Sequence, residues 1–192
     1  MVMIELVGVE IPMGRWNLVS ALMELRQSIF IDRLKWDLTG HDRLEFEQYD
    51  NIGRATYIVA HEDGRVIAGA RLLRCDSSIG LGTVSYSYMI RDAVLGIIDL
   101  PRNLCWEEPP TDAGSWELTR LVSIDPNPRT TQRILNTAND HIRDLGGRQC
   151  LFLGAPSFLR MARSYGYAPR PLGGIVSNRD GRFLAFACSV RP

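Results

Sequence analysis

The 192-residue sequence almost lacks lysine: Lys35 is the only one, and arginine supplies the rest of its 22 basic residues. Twenty-two acidic residues balance them, so the formal net charge is zero and no general attraction for nucleic acid or an anionic membrane is expected. A local basic patch for an acidic partner stays open. The arginine bias fits either a use for planar forks that hold carboxylates and phosphates, or GC-rich coding with no functional meaning. Cysteine is sparse as well. Cys75, Cys105, Cys150 and Cys188 form no CxxC pair and no signal peptide precedes them, so reduced, buried thiols in a cytoplasmic protein are expected. His41, His61 and His141 are scattered, which excludes a clustered zinc site, and no metal is expected. No apolar run approaches the roughly 20 residues needed to span a bilayer. Phosphate loops of the GxxxxGK(S/T) and GxGxxG kinds are missing, as are GxSxG and HExxH, so the sequence offers no nucleophile elbow and no zinc-protease helix.

What is present reads as one domain over 1–192, without a linker or internal repeat. Leu18, Leu22, Leu25 and Ile29 recur at helical spacing and predict a helix over 17–30. IDRLKWDLTGHDR has no clean period and reads as a long ordered loop. TYIVA and RVIAGARLL flank HEDG and predict a β-hairpin. Residues 75–114 hold a short helix in SYSYMIRDAVLGII, then a proline-rich loop. SWELTRLVS alternates as a strand. Ile134, Leu135, Ala138, Ile142 and Leu145 form one side of a second helix closed by Gly146 and Gly147, and APSFLRMARSYG is a third. CLFL and FLAFACSV are buried strands. The fold class is α/β (α+β): a sandwich of helices around a mixed sheet.

Three clusters carry possible chemistry. The first runs from Arg26 through Phe30, Arg33 and Trp36 to Glu45, Glu47 and Asp50. Its last part, LEFEQYD, sets three carboxylates among large apolar side chains, an arrangement that asks for positive charge nearby. The second is Arg71 in GARLL, and the third is WELTR, with Glu117, Thr119 and Arg120. Each has a plain alternative: a capped helix and polar loop, a solvated strand end, a strand with one polar side. Strict alternation would put Glu117 and Thr119 on one face of that strand and Arg120 on the other; only a bulge or strand end would let Glu117 and Arg120 act together.

Taken together, RQSIFIDRLKW, LEFEQYD, GARLL and WELTR resemble the acyl-homoserine-lactone synthases, the autoinducer synthases of bacterial quorum sensing. The resemblance covers residues 22–73 and 115–123 best. It rests on Arg26, Phe30, Trp36, Glu45, Glu47, Asp50, Arg71, Glu117 and Arg120. Glu47 stands where the family usually has aspartate, RLLRC replaces an RLLPT-like sequence, and Val94 is the nearest match to a common phenylalanine. These departures leave the acyl chain open more than the reaction.

The resemblance implies a single-domain, GNAT-like acyltransferase sandwich. It implies an amine substrate, S-adenosylmethionine, and an acyl thioester on acyl carrier protein or coenzyme A. Amide formation and lactone closure would release methylthioadenosine, with no cofactor and no covalent enzyme intermediate. On this reading the acidic run cradles the sulfonium, with Phe30 and Trp36 covering it. Arg26 or Arg33 pairs with the substrate carboxylate or braces the run, and Arg71 is an internal counter-ion. Glu117 or Glu45 is the general base, and Thr119 a hydrogen-bond donor. Leu121, Leu151, Leu153 and Phe158 line the acyl pocket. Arg160 and Arg163 either meet an acidic carrier protein or are solvated helix charges. Two rivals stay open: a coenzyme A-dependent acyltransferase acting on another amine, and an inactive homologue that binds S-adenosylmethionine.

Overall fold

The structure, a computed structural model, describes every residue except 10, 12–14, 39, 42 and 82, with backbone only at 40, 41 and 81. Its elements in chain order are β1 (Met3–Val7), α1 (Trp16–Arg26) running into a π-helix (Gln27–Arg33), β2 (Gly40–His41), β3 (Leu44–Glu45), β4 (Thr56–Glu62) and β5 (Arg65–Arg74). There follow β6 (Ile79–Leu81), β7 (Val84–Tyr86), α2 (Met89–Val94), β8 (Ser115–Ser123) and α3 (Pro128–Asp144). The chain ends with β9 (Gln149–Gly154), α4 (Pro156–Ser164), β10 (Pro169–Pro171), β11 (Val176–Asn178) and β12 (Gly181–Ser189). They group into two compact units, Met1–Leu72 with Arg120–Ala138, and Leu73–Thr119 with Asn139–Pro192.

In the first unit β1, β4 and β5 pair antiparallel, and the Ile124 N–H donates to the Ile67 carbonyl where the end of β8 meets β5. The β4–β5 hairpin follows directly from its sequence. Asp63 and Gly64 both take positive φ (50° and 88°), the geometry a two-residue type I′ turn demands and an Asp-Gly pair tolerates. Leu18, Val19, Leu22 and Met23 are buried on one side of α1. That helix comes close to β5 at Gly69, where an added Cβ would lie 2.6 Å from Leu22 Cδ1 and 2.8 Å from the Ile58 carbonyl oxygen. We expect Gly69→Ala to lower stability by about 1–3 kcal/mol through this overpacking, as read from urea unfolding.

In the second unit the order is β8–β9–β12–β10, with β11 on β12. β8 and β9 are parallel from Ser115↔Gln149 to Leu118↔Phe152, whereas β9 and β12 are antiparallel, so the sheet is mixed as expected. Phe152 stacks on Phe186 with ring centroids 5.0 Å apart, and Phe158 meets both edge-on at 5.4 Å.

Several elements differ from expectation. The first helix stops being α at Arg26 and continues as π to Arg33, so Ile31–Arg33 are helical rather than loop. The rest of that stretch contains β2 and part of a turn, while Thr39 and Asp42 lie outside the described residues. β1 and the short pairs β2–β3 and β6–β7 were not expected. Leu145 is exposed beyond the end of α3, because the chain turns at Gly146 and Ile142 carries the last buried contact.

Candidate functional site

Arg26 falls one helical repeat beyond Leu18 and Leu22, so α1 delivers its guanidinium to the buried side. The wider π-turn follows at once, closed by the Leu34 N–H donating to the Ile29 carbonyl. It turns Phe30 inward and leaves Arg33 exposed. Trp36 then stacks on Phe30, centroids 4.9 Å apart and planes 9° from parallel.

Against this wall the acidic run meets three arginines of the first unit. Arg26 donates to Glu45 through Nε, and to Asp50 with both terminal nitrogens at 2.8 Å, a bidentate fork. Arg71 donates to Glu47 at 2.6 Å and lies 2.9 Å from Asp50. Arg120 donates to Glu45 at 3.0 Å and to Glu47 at 2.6 Å. The Tyr57 hydroxyl and the Glu47 N–H also donate to Asp50. Three carboxylates and three guanidinium groups sum to zero charge. Both oxygens of each carboxylate already accept.

This corrects the expectation that the run awaits a cation. Its counter-charges are internal, because buried carboxylates without such partners would be too costly to ionise. It also assigns the bracing to Arg26; Arg33 takes no part. Arg120 reaches the cluster because its backbone sits at φ 53°, in the left-handed region, which breaks the strict alternation of β8 at that point. Its guanidinium lies 5.5 Å from the centroid of the Phe30 ring, and that of Arg71 5.5 Å from Tyr49's.

Burial alone would raise the Asp50 and Glu47 carboxyl pKa values. The charges of Arg71 and Arg120 and the hydrogen bonds of Arg26 and Arg71 overcome it and hold both below the ordinary carboxylate range. Burial and the Asp50 charge raise the Tyr57 hydroxyl, which stays a donor. Carboxylates held below their unfolded values stabilise fully above the unfolded pKa, and that contribution is lost as pH falls through the folded one. The urea midpoint should therefore be steady from pH 7 to about pH 5 and fall progressively below it. Asp50→Asn should flatten that fall.

In the second unit Glu117 is fully buried on β8, and its two oxygens accept the Met89 and Ile90 N–H groups at 2.9 and 2.8 Å. Thr119, nearly buried, follows on the same strand. Leu151 is the register partner of Glu117, so both side chains point to one face of the sheet. On that face is a cavity of about 400 Å³ whose walls include Trp106, Pro109, Gln149, Leu151 and Arg170. Cys105 also borders it; burial and the charge of Glu117 push its thiol up to about 11, so it is protonated at neutral pH. Of the other expected acyl-pocket residues, Leu153 continues the Leu151 face, Phe158 packs edge-on against Phe152 and Phe186, and Leu121 lies in the first unit.

Sequence reasoning missed Tyr57, hidden inside an apolar strand, and Tyr49, whose place in LEFEQYD was the only signal. Among the described residues no group of three His, Cys, Asp or Glu is placed to hold a metal ion, and no described helix is long and apolar enough to cross a membrane. The four cysteines are free thiols.

Residues 13–142 match the family model described as autoinducer synthase. The chain belongs to that family. The acyl-homoserine-lactone synthase of Aeromonas salmonicida is 32 % identical over 113 residues, 59 % of this chain and 46 % of that protein. That of Acinetobacter nosocomialis is 26 % identical over 185 residues, 91 % of this chain and 92 % of that protein. The chain spans about half the length of the first curated relatives it matches, 46 % and 48 % for the two Aeromonas proteins. A solved structure of a CoA-dependent acyl-homoserine lactone synthase, BjaI, with SAM and isopentyl-CoA, superposes with a TM-score of 0.81 at 18 % identity, covering 100 % of this chain and 84 % of that one. The GNAT-like sandwich expected from the resemblance is the family's fold, and this chain has it.

Proposed function

We propose that this chain is an acyl-homoserine-lactone synthase, taking S-adenosylmethionine and an acyl thioester of acyl carrier protein or coenzyme A and releasing methylthioadenosine. The observation that carries the reading is the closed cluster of Arg26, Glu45, Glu47, Asp50, Arg71 and Arg120, six of the positions on which the resemblance rests. Such a cluster is expensive to bury and adds little net stability, so its use is to fix geometry.

In this reading the first unit holds S-adenosylmethionine. The cluster is a neutral, rigid frame, and Trp36, held by its stack on Phe30, meets the sulfonium and adenine, since the carboxylates are already occupied. Glu47 and Asp50 support the site through Arg71. Glu117 is the general base, with Thr119 as a hydrogen-bond donor. Glu117 is preferred to Glu45 because only two backbone amides hold it, whereas both oxygens of Glu45 are engaged by the guanidinium groups of the cluster. Leu151 and Leu153 line the acyl path, with Phe158 supporting it. The amine attacks the thioester carbonyl and the thiol leaves. The methionyl carboxylate then closes on its own γ-carbon, breaking the carbon–sulfur bond and releasing methylthioadenosine. No resident cofactor takes part. Residues 1–192 work as one synthase domain, in the cytoplasm where both substrates are made. Expressing the chain in a bacterium that makes no such signals should yield N-acyl-homoserine lactones in the medium by mass spectrometry; a culture without them counts against the reading.

A further inference from the structure

Glu117 caps a helix to which it does not belong. The helix α2 is six residues long, and its N-cap, Tyr88, makes no side-chain hydrogen bond to it. Amides that an N-cap side chain would ordinarily satisfy go instead to Glu117 on β8, Met89 at 2.9 Å and Ile90 at 2.8 Å. A carboxylate has about four acceptor positions, so two amides orient it without using it up. The direction of Glu117 is therefore set by where the first turn of α2 lies.

Two side chains fix that turn. Asp92, fully buried, reaches back past the N-cap to Ser87. Its oxygens accept the Ser87 N–H at 3.2 and 3.0 Å, and one also accepts the Ser87 hydroxyl at 2.7 Å. Tyr88, also buried, sends its hydroxyl the other way, to the Pro110 carbonyl at 2.6 Å. Burying a second carboxylate is costly, and a helix this short has little stability of its own to justify it. What Asp92 secures is the place of the Met89 and Ile90 amides. Burial, and then the charge of Glu117, keep the Cys75 and Cys105 thiols protonated, and burial does the same for the Tyr88 hydroxyl. These neighbours offer Glu117 no charge, and the α2 amides hold it.

We propose that Ser87 and Asp92 are positioning residues for the base: they hold the first turn of α2 so that its amides fix the orientation of the Glu117 carboxylate that takes the proton. All of these residues belong to the second unit. The assignment rests on the synthase reading above and deepens it.

Methylthioadenosine release is followed against pH for the wild type, Ser87→Ala, Ser87→Thr and Asp92→Asn. The substrates are S-adenosylmethionine and butyryl, octanoyl and cinnamoyl thioesters on coenzyme A or acyl carrier protein. Ser87→Ala should lower kcat by about 10–100-fold and leave KM within about twofold, the scale of a misaimed group. Its acidic limb should move to higher pH, because a carboxylate that loses N–H donors protonates more readily. Ser87→Thr keeps the hydroxyl and should restore most of the turnover, and Asp92→Asn should follow Ser87→Ala. Ser87 is half-buried, so its variants carry the test if Asp92→Asn unfolds. In a Glu117→Gln background Ser87→Ala should change turnover by less than about twofold, because it acts through the group already removed. A structural cap alone would give the same loss in both backgrounds and leave the limb in place; either result overturns the proposal. Hydrogen exchange read by NMR needs no turnover: the Met89 and Ile90 amides should exchange about tenfold faster in Ser87→Ala than in the wild type. A wild type that releases no methylthioadenosine with any thioester sinks the synthase reading, and faster exchange in Ser87→Ala still upholds Ser87 as the holder of Glu117's seat. Unchanged exchange overturns that role.

Discussion

Arg71→Ala should lower unfolding stability by about 3–5 kcal/mol and abolish lactone formation. Arg71 is fully buried and lies between Glu47 and Asp50, which keep their own charge when it goes. Glu47 retains Arg120 and Asp50 retains Arg26, so the variant should fold in part of its temperature range, but two buried anions lose the partner they share. They answer by rising in pKa, and the acid-induced loss of stability moves toward neutral pH. Arg71→Lys is the informative companion. It restores the charge without the planar fork, so it should recover much of the stability and little of the turnover. Urea unfolding and methylthioadenosine release on the same preparations separate the two effects. A loss under about 1 kcal/mol with near-normal turnover would remove Arg71 from both roles.

Glu117→Gln should have the second largest effect. The carboxylate now accepts two backbone N–H groups at the start of α2. An amide presents one oxygen and one NH2, so one of those N–H groups would face another donor, at a cost of about 1–3 kcal/mol. The same change removes the proposed base, and kcat should fall by about 10²–10⁴-fold. A purely structural role would lower stability while leaving the pH dependence of the remaining turnover as in the wild type. A base would take the acidic limb of that profile with it. Near-normal turnover removes Glu117 from the chemistry.

Local signals in the sequence carried far, and long-range ones less. The Asp63-Gly64 turn, the alternation of RVIAGARLL and the helical spacing of Leu18 and Leu22 each depend on neighbours a few residues away, and each took the form expected. The cluster joins residues up to 75 positions apart, so from composition it was indistinguishable from surface salt bridges; only the four motifs taken together suggested it. Even then the sense of the charges was misread. LEFEQYD looked open to a cation because the arginines that close it come from α1, β5 and β8. The place of Arg120 in the cluster was hidden as well, because nothing in WELTR announces a positive φ at its arginine. The π-turn has no apolar period of its own, and Tyr57 is an ordinary strand tyrosine until Asp50 is placed beside it.

One experiment bears on the synthase reading most directly. Purified protein is incubated with S-adenosylmethionine and its preferred acyl thioester, and free thiol, methylthioadenosine and lactone are quantified together. Equal amounts of all three are predicted, with none formed when either substrate is left out. Thiol released without methylthioadenosine would mark a plain acyltransferase and contradict the account.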